Sequence, residues 1–284
     1  MISFSKYHGC GNNFVIVKEE DLADYMDIQP GEESSDDYGR FAEKVCNINI
    51  GIGADGLIVV RQNPALEMVF FNCDGSRAPM CGNGIRCFAN YCYDKGINME
   101  DSYTVKTLAG DMVVNVVCRE PFRVKIDMGS PVFSPEAVKA DYTGKDFLNQ
   151  KITLKDGSQV DIDSLFMGTI HTVVFTDDVD VSAVEPIGEE ICNHKIFKEK
   201  TNVNFVKPID DETLEMITYE RGVGMTLACG TGACASVVAA NMRGLCGNTA
   251  EVKLPLGSLK IEIEDNNHVY MEGPSVRISD GEFC

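Results

Sequence analysis

The sequence predicts an α/β (α+β) fold made of two pseudo-symmetric, strand-rich domains, each a curved sheet or barrel around one central helix. Three observations predict it. A cysteine motif occurs twice: Met80-Cys81-Gly82-Asn83-Gly84-Ile85-Arg86-Cys87 is answered by Ala228-Cys229-Gly230-Thr231-Gly232-Ala233-Cys234, and the offset is 229 − 81 = 148 residues. In a chain of 284 residues, that offset points to duplication of a whole domain. The apolar runs are mostly short, rich in Val, Ile and Phe, and bounded by Gly, Asp, Asn and Pro, which is a strand and turn signature. The exceptions are residues 84–92 and 232–242, each directly after a cysteine motif and small and apolar nearly all round, the pattern of a helix buried within its domain.

The elements repeat in order. Gly11-Asn12 leads into the strand Phe14-Val15-Ile16-Val17, and Gly168-Thr169 leads into Thr172-Val173-Val174-Phe175. Polar helices are expected over residues 37–45 and 184–193, against the outside of each domain. The strand-like runs Val69-Phe70-Phe71-Asn72 and Met216-Ile217-Thr218-Tyr219-Glu220 lead into the two motifs, and Asn72 and Glu220 each precede their cysteine by nine residues. After each central helix comes a turn and a strand: Leu108-Ala109-Gly110-Asp111 before residues 112–117, and Pro255-Leu256-Gly257-Ser258 before residues 259–263, at an offset of 147. The expected domains are residues 1–122 with 275–284, and residues 123–274.

Composition bounds the function. Hydrophobic residues are 44% and charged residues 24%, ordinary for a globular protein. A net charge of −19, from 25 basic and 44 acidic residues, repels phosphate backbones and anionic lipid, so neither nucleic acid nor a membrane surface is an expected partner. The acidic run Glu32-Glu33-Ser34-Ser35-Asp36-Asp37 reads as a solvated loop. Twelve cysteines raise the possibility of a disulfide scaffold, but no apolar run follows Met1, so the reading is a reduced, cytoplasmic protein without a secretory signal. No stretch reaches the roughly 18 apolar residues of a membrane span.

A thiol at a helix N-terminus meets outward-facing N–H groups and the positive end of the helix dipole, which lower its pKa from about 8.5 into the range of roughly 3.5–7.5. The adjoining glycines expose N–H groups that suit a carboxylate. A thiolate base beside a carboxylate cradle, supplied once by each half, is equipment for moving the Cα proton of an amino acid. Inversion needs a deprotonated group on one face of the carbon and a protonated one on the other, and two like residues exchange those roles when the reaction reverses. Pyridoxal phosphate would need a lysine in a glycine-rich anion site, and none is placed so; no cofactor is expected. The other cysteines, Cys10, Cys46, Cys73, Cys87, Cys92, Cys118, Cys192, Cys234, Cys246 and Cys284, read as small buried hydrophobes. With no Cys-x-x-Cys and only His8, His171, His194 and His268, the usual zinc spacings are missing, and no metal is expected. A thiol redox or metal-binding protein is the alternative from a different class, prompted by the cysteine count alone.

Four further motifs accompany the doubled one: His8-Gly9-Cys10-Gly11-Asn12-Asn13-Phe14, Gly51-Ile52-Gly53-Ala54-Asp55-Gly56, Phe71-Asn72-Cys73-Asp74-Gly75-Ser76 and Tyr219-Glu220-Arg221-Gly222. Together, over nearly the whole chain, they resemble the diaminopimelate epimerase family, cofactor-independent amino-acid racemases of lysine and cell-wall biosynthesis. The resemblance implies interconversion of LL- and meso-diaminopimelate in a cleft between the two domains of a homodimer, with a small amino acid as the partner. It implies Cys81 and Cys229 as catalytic bases, tuned by His171 and Glu220, the latter also binding an ammonium group. Gly82, Asn83, Gly230 and Thr231 would donate backbone N–H groups to the reacting carboxylate. Asn12, Asn72, Asn202 and Arg221 would hold the distal amino-acid end, where a bidentate guanidinium suits a carboxylate. One departure bears on that end: the family commonly has Met-Gly-Asn-Pro-His, and this chain reads Met167-Gly168-Thr169-Ile170-His171. Thr169 offers fewer hydrogen-bonding groups than an amide, so a racemase of another amino acid is the alternative on the same scaffold. Gly56 also stands where some members carry glutamine.

Overall fold

The computed structural model describes residues 1–29 and 35–284. The expected solvated loop therefore lies outside the described residues at 32–34, and its remainder opens a helix. The chain forms two compact units, Met1–Ile126 with Gly273–Cys284, and Asp127–Glu272.

In the first unit the order is β1 (Ile2–Gly9), β2 (Asn12–Lys18), α1 (Glu19–Met26), α2 (Ser35–Cys46), β3 (Gly56–Arg61), β4 (Glu67–Asn72), α3 (Gly82–Asp94), β5 (Ser102–Thr107), β6 (Gly110–Arg119) and β7 (Phe122–Asp127). In the second it is β8 (Gln150–Thr153), β9 (Gln159–Met167), β10 (Thr169–Phe175), α4 (Val181–Cys192), β11 (Asn202–Pro208), β12 (Thr213–Glu220), β13 (Gly224–Thr226), α5 (Gly230–Met242), β14 (Thr249–Leu254), β15 (Gly257–Ile263) and β16 (Val269–Pro274). The last strand, β17 (Val276–Phe283), returns to the first unit and pairs with β1.

The pairing rule is the same in both units. Along β17, β1, β2, β3, β4, β5, β6 and β7 the pairings run antiparallel, antiparallel, parallel, antiparallel, parallel, antiparallel, antiparallel. Along β8, β9, β10, β11, β12, β14, β15 and β16 the same series recurs. Each parallel step skips a helix: α1 and α2, or α4, lie between the first parallel pair, and α3 or α5 between the second. The duplication read from the cysteine motifs is thus a duplication of sheet topology.

Both central helices begin at a cysteine and end at a glycine fifteen residues on. Gly96 and Gly244 adopt φ of 65° and 70°, the left-handed region that glycine enters without a Cβ clash. Ile97 N–H then reaches Cys92 O at 2.8 Å, and Leu245 N–H reaches Ala240 O at 2.9 Å, closing each helix with the same capping turn. α3 packs against β1, β2, β3, β4 and β17, and α5 against β9, β10, β11, β12, β14 and β15. The wrapping explains their composition. Ala233, Cys234, Ala235, Val237, Val238, Ala239 and Ala240 of α5 are buried, and small side chains let strands approach from every side. α3 instead accepts Arg86 and Asn90 into its buried face, which its apolar reading did not foresee.

The outer helices match the expected positions with longer bounds, Ser35–Cys46 against 37–45 and Val181–Cys192 against 184–193. Tyr38, Phe41, Ala42 and Val45 of α2 close a core with Leu22, Leu57, Val59 and Phe71. Val184, Ile191 and Cys192 of α4 do the same with Ile170, Phe205 and Ile217. α1 was not expected: its eight residues are too few to show a period, and what favours it is Glu19, Glu20 and Asp21 in the first turn, at the positive end of the dipole.

Candidate active site

Cys81 and Cys229 are the N-cap residues of α3 and α5. Both have extended backbones, φ −135° and ψ 121° at Cys81, φ −123° and ψ 105° at Cys229. Sγ of Cys81 accepts the Gly84 N–H at 3.4 Å, and Sγ of Cys229 accepts the Gly232 N–H at 3.3 Å. A sulfur thus fills the place that a Ser or Asn oxygen takes in most caps. This third helical position is crowded, most of all in the second unit: a Cβ on Gly232 would lie 2.4 Å from Asn204 Oδ1 and 3.1 Å from Cys229 Sγ, so that a side chain would displace Asn204, whereas one on Gly84 would meet Cys81 Cβ at 3.3 Å, a contact relieved by a shift of a few tenths of an ångström. With that N–H turned to sulfur, those of Gly82 and Asn83, and of Gly230 and Thr231, point out of the helix ends, as helix geometry requires. Each unit therefore presents a thiol and two N–H donors at the positive end of a dipole.

Around Cys81, amide orientations are set by charged neighbours. Asp55 Oδ2 accepts from Asn12 Nδ2 at 2.8 Å and from Asn13 N and Nδ2 at 2.7 and 2.9 Å. Asn12 Oδ1 therefore faces the other way, accepting from Asn83 Nδ2 at 3.1 Å and from the Cys81 thiol at 3.8 Å. Arg86, fully buried, donates to Asn83 Oδ1 at 2.9 Å, Gly82 O at 3.0 Å and Pro274 O at 3.2 Å. A guanidinium taken out of water needs such partners, and here they lock the first turn of α3.

Around Cys229 the polar groups form a line. Cys229 Sγ lies 3.5 Å from Thr231 Oγ1, which lies 2.9 Å from His171 Nε2; His171 Nδ1 lies 3.2 Å from Asn204 Nδ2. His171 sits in β10 with no exposed surface, and burial, helped by the Arg221 charge, pushes its pKa down to about 3, so the ring is neutral at physiological pH.

The remaining expected residues fall into separate groups. Arg221 Nη2 donates to Thr169 Oγ1 at 3.2 Å, its Nη1 to Glu199 O at 2.9 Å and its backbone N–H to Asn202 Oδ1 at 2.9 Å, which brings Thr169, Asn202 and Arg221 together. Glu220 is held through Oε1 by the Thr226 hydroxyl at 2.7 Å. Asn72 donates to Ser76 Oγ at 2.9 Å in the turn after β4.

The structure corrects three of the ten thiols read as buried hydrophobes: Cys73 and Cys284 are exposed and Cys118 is half-buried. The other seven are buried. Burial raises the pKa of the Cys46 and Cys87 thiols to about 12 and also raises those of Cys10, Cys92, Cys192 and Cys246, which keeps them protonated. Among the described residues, no three His, Cys, Asp or Glu side chains gather as a metal site, and no helix is long and apolar enough to cross a membrane. Residues missed in the sequence are Asp55, Arg86 and Asn204. The first two stand inside quoted motifs, so motif membership was the available signal for them; Asn204 lies two residues from Asn202 on β11, and its contact with His171 depends on the pairing of β11 with β10.

Solved structures of low sequence similarity share this fold. A hydroxyproline epimerase from Agrobacterium vitis is similar with a TM-score of 0.69 at 14% identity, over 99% of this chain and 90% of that one. The PhzF-family phenazine biosynthesis protein of Bacillus anthracis is similar with a TM-score of 0.67 at 15% identity, over 100% and 99%. The fold class is therefore the two-domain α+β fold of these proteins. Sequence similarity narrows it further. The family model described as diaminopimelate epimerase matches residues 4–134 and 164–278. The diaminopimelate epimerase of Clostridium perfringens is 43% identical over 291 residues, covering 99% of each chain. That of Alkaliphilus metalliredigens is 38% identical over 286 residues, covering 99% of this chain and 97% of its own. The chain belongs to the diaminopimelate epimerase family, and it is an isomerase.

Proposed function

We propose that this protein interconverts LL- and meso-diaminopimelate by a two-thiol mechanism without a cofactor, in the cytoplasm and as a homodimer, with one epimerase domain in each compact unit. The observation that carries the mechanism is the matched pair of cysteine-capped helices, because a two-base inversion needs two interchangeable groups. One thiolate removes the Cα proton as general base, and the other thiol delivers a proton to the opposite face. Proton transfer by a positioned group is worth roughly 10²–10⁴-fold in rate. The developing enolate is stabilised by the N–H groups of Gly82, Asn83, Gly230 and Thr231, fixed in direction before the reaction begins. Arg221, with Asn202 and Thr169 beside it, binds the distal carboxylate, and Asn12 and Asn72 complete that recognition. Glu220 binds an ammonium group.

Thr169 favours a second reading, the same chemistry on a different amino acid. Exchange of Cα protons for deuterons across a panel of amino acids in heavy water separates the two. Diaminopimelate exchanging fastest supports the proposal, and faster exchange in another amino acid replaces it with the second reading.

A further inference from the structure

We infer that Asn204 is a positioning residue that fixes His171 as its Nε2–H tautomer and so aims the Thr231 hydroxyl proton at Cys229. The inference rests on the two-thiol reading for its meaning, while its tests need no turnover.

Asn204 is fully buried on β11, and its amide can take only one orientation. Nδ2 lies 3.4 Å from the backbone carbonyl of Thr172, a group that only accepts, and Oδ1 receives the Thr218 hydroxyl at 3.0 Å. With Nδ2 turned toward His171, 3.2 Å away, Nδ1 of the ring must be the acceptor. A neutral imidazole carries one proton, which then sits on Nε2 and is donated to Thr231 Oγ1 across 2.9 Å. That hydroxyl, its lone pair engaged by the ring, is left with its own proton for Cys229 Sγ at 3.5 Å. The Gly232 N–H donates to the same sulfur at 3.3 Å. Two donors converging on one sulfur favour the thiolate.

Polarity is opposite at the other thiol. There Asp55 turns the oxygen of Asn12 toward Cys81, and an amide oxygen accepts a thiol proton. The chain Thr172 O, Asn204, His171, Thr231, Cys229 thus distinguishes two otherwise matched caps. Reversing the Asn204 amide or the ring tautomer would turn the Thr231 proton toward the ring and present an oxygen lone pair to sulfur.

The test is nitrogen NMR of histidine-labelled protein, with mass-spectrometric mapping of iodoacetamide labelling at Cys229. Unmodified protein should show His171 protonated at Nε2 with Nδ1 bare; a proton on Nδ1 overturns the inference with no variant needed. In Asn204→Leu, similar in size and without donors, both tautomers should appear and Cys229 labelling should slow about tenfold, the effect of one lost hydrogen bond to a charged group. An unchanged tautomer and rate would overturn it. Thr231→Val breaks the line nearer the thiol and should slow labelling similarly; adding Asn204→Leu should then cost little more. Full additivity in that cycle would mean that Asn204 acts only through packing. Should the protein pass these tests yet exchange no Cα proton, the functional proposal fails and the wiring stands.

Discussion

The Asp55 carboxylate takes the Asn12 amide N–H at 2.8 Å, and this contact makes Asn12 present oxygen to Cys81. In the second unit the Asn204 amide is turned to donate instead. Two folds with the same strand pairing thereby carry opposite hydrogen-bond polarity beside equivalent thiols, and each polarity can be tested.

Replacing Asp55 by Asn removes the carboxylate charge and leaves one neutral amide oxygen where two carboxylate oxygens stood, so the Asn12 amide loses its charged acceptor. The expected outcome for Asp55→Asn is a loss in kcat of roughly tenfold or more, the size expected when a hydrogen bond to a charged group is lost. Steady-state rates in both directions check it, and rates within twofold of the parent would count against the assigned orientation.

Sulfur capping has a stability consequence. Serine keeps an atom able to accept the Gly84 or Gly232 N–H, while alanine does not. Cys81→Ala and Cys229→Ala should each be less stable than the corresponding serine variants by about 0.5–2 kcal/mol, the usual value of an N-cap. Urea unfolding midpoints give the difference, and coincident midpoints would contradict the capping role.

His171 makes stability depend on pH in a defined direction. Its folded-state pKa is depressed to about 3, against about 6.5 when unfolded, so only the unfolded chain binds a proton between those values. The contribution is fully present above pH 6.5 and is lost as pH falls toward 3, by about 1.4 kcal/mol per pH unit. His171→Gln should lack this slope. Denaturant unfolding of both proteins from pH 7 to pH 4 checks it; parallel curves would remove His171 as the cause.

Thr169 holds one edge of the Arg221 guanidinium at 3.2 Å. Thr169→Val should raise KM for diaminopimelate several-fold and leave kcat nearly unchanged, the pattern of an interaction made equally in ground and transition states. Thr169→Asn, which puts an amide with both acceptor and donor groups beside Arg221, should lower KM. A fall in kcat with KM unchanged would place Thr169 in the chemistry rather than in recognition.

The site was legible in the sequence where chemistry is local. A cysteine before Gly-x-Gly, repeated before two small-residue helices, announced two capped thiols because the cap, the turn and the helix are contiguous. Sheet topology was partly legible, through the strands that keep register with each cysteine. What stayed hidden was contact across strands. Asn204 meets His171 because β10 and β11 run parallel, with His171 opposite Asn202. Nothing in a single strand's alternation distinguishes such an asparagine from a surface one. Arg86 was hidden for the opposite reason: a charge in an apolar helix reads as exposed, and its burial depends on carbonyls of Gly82 and of distant Pro274. The exposure of Cys73 was likewise out of reach, because it follows the end of β4 in a turn whose outward face only the fold decides.

The most direct measurement is deuterium incorporation at Cα of LL-diaminopimelate during a single turnover in heavy water, by the parent protein and by Cys81→Ser and Cys229→Ser. The two-thiol account predicts that the parent's meso product carries solvent deuterium at the inverted centre. It also predicts that each serine variant, folded as judged by its unfolding transition, forms that product at least a hundredfold more slowly, within the range for loss of a positioned acid or base. Inversion at the parent rate by either variant, or a product that retains the original proton, would contradict it.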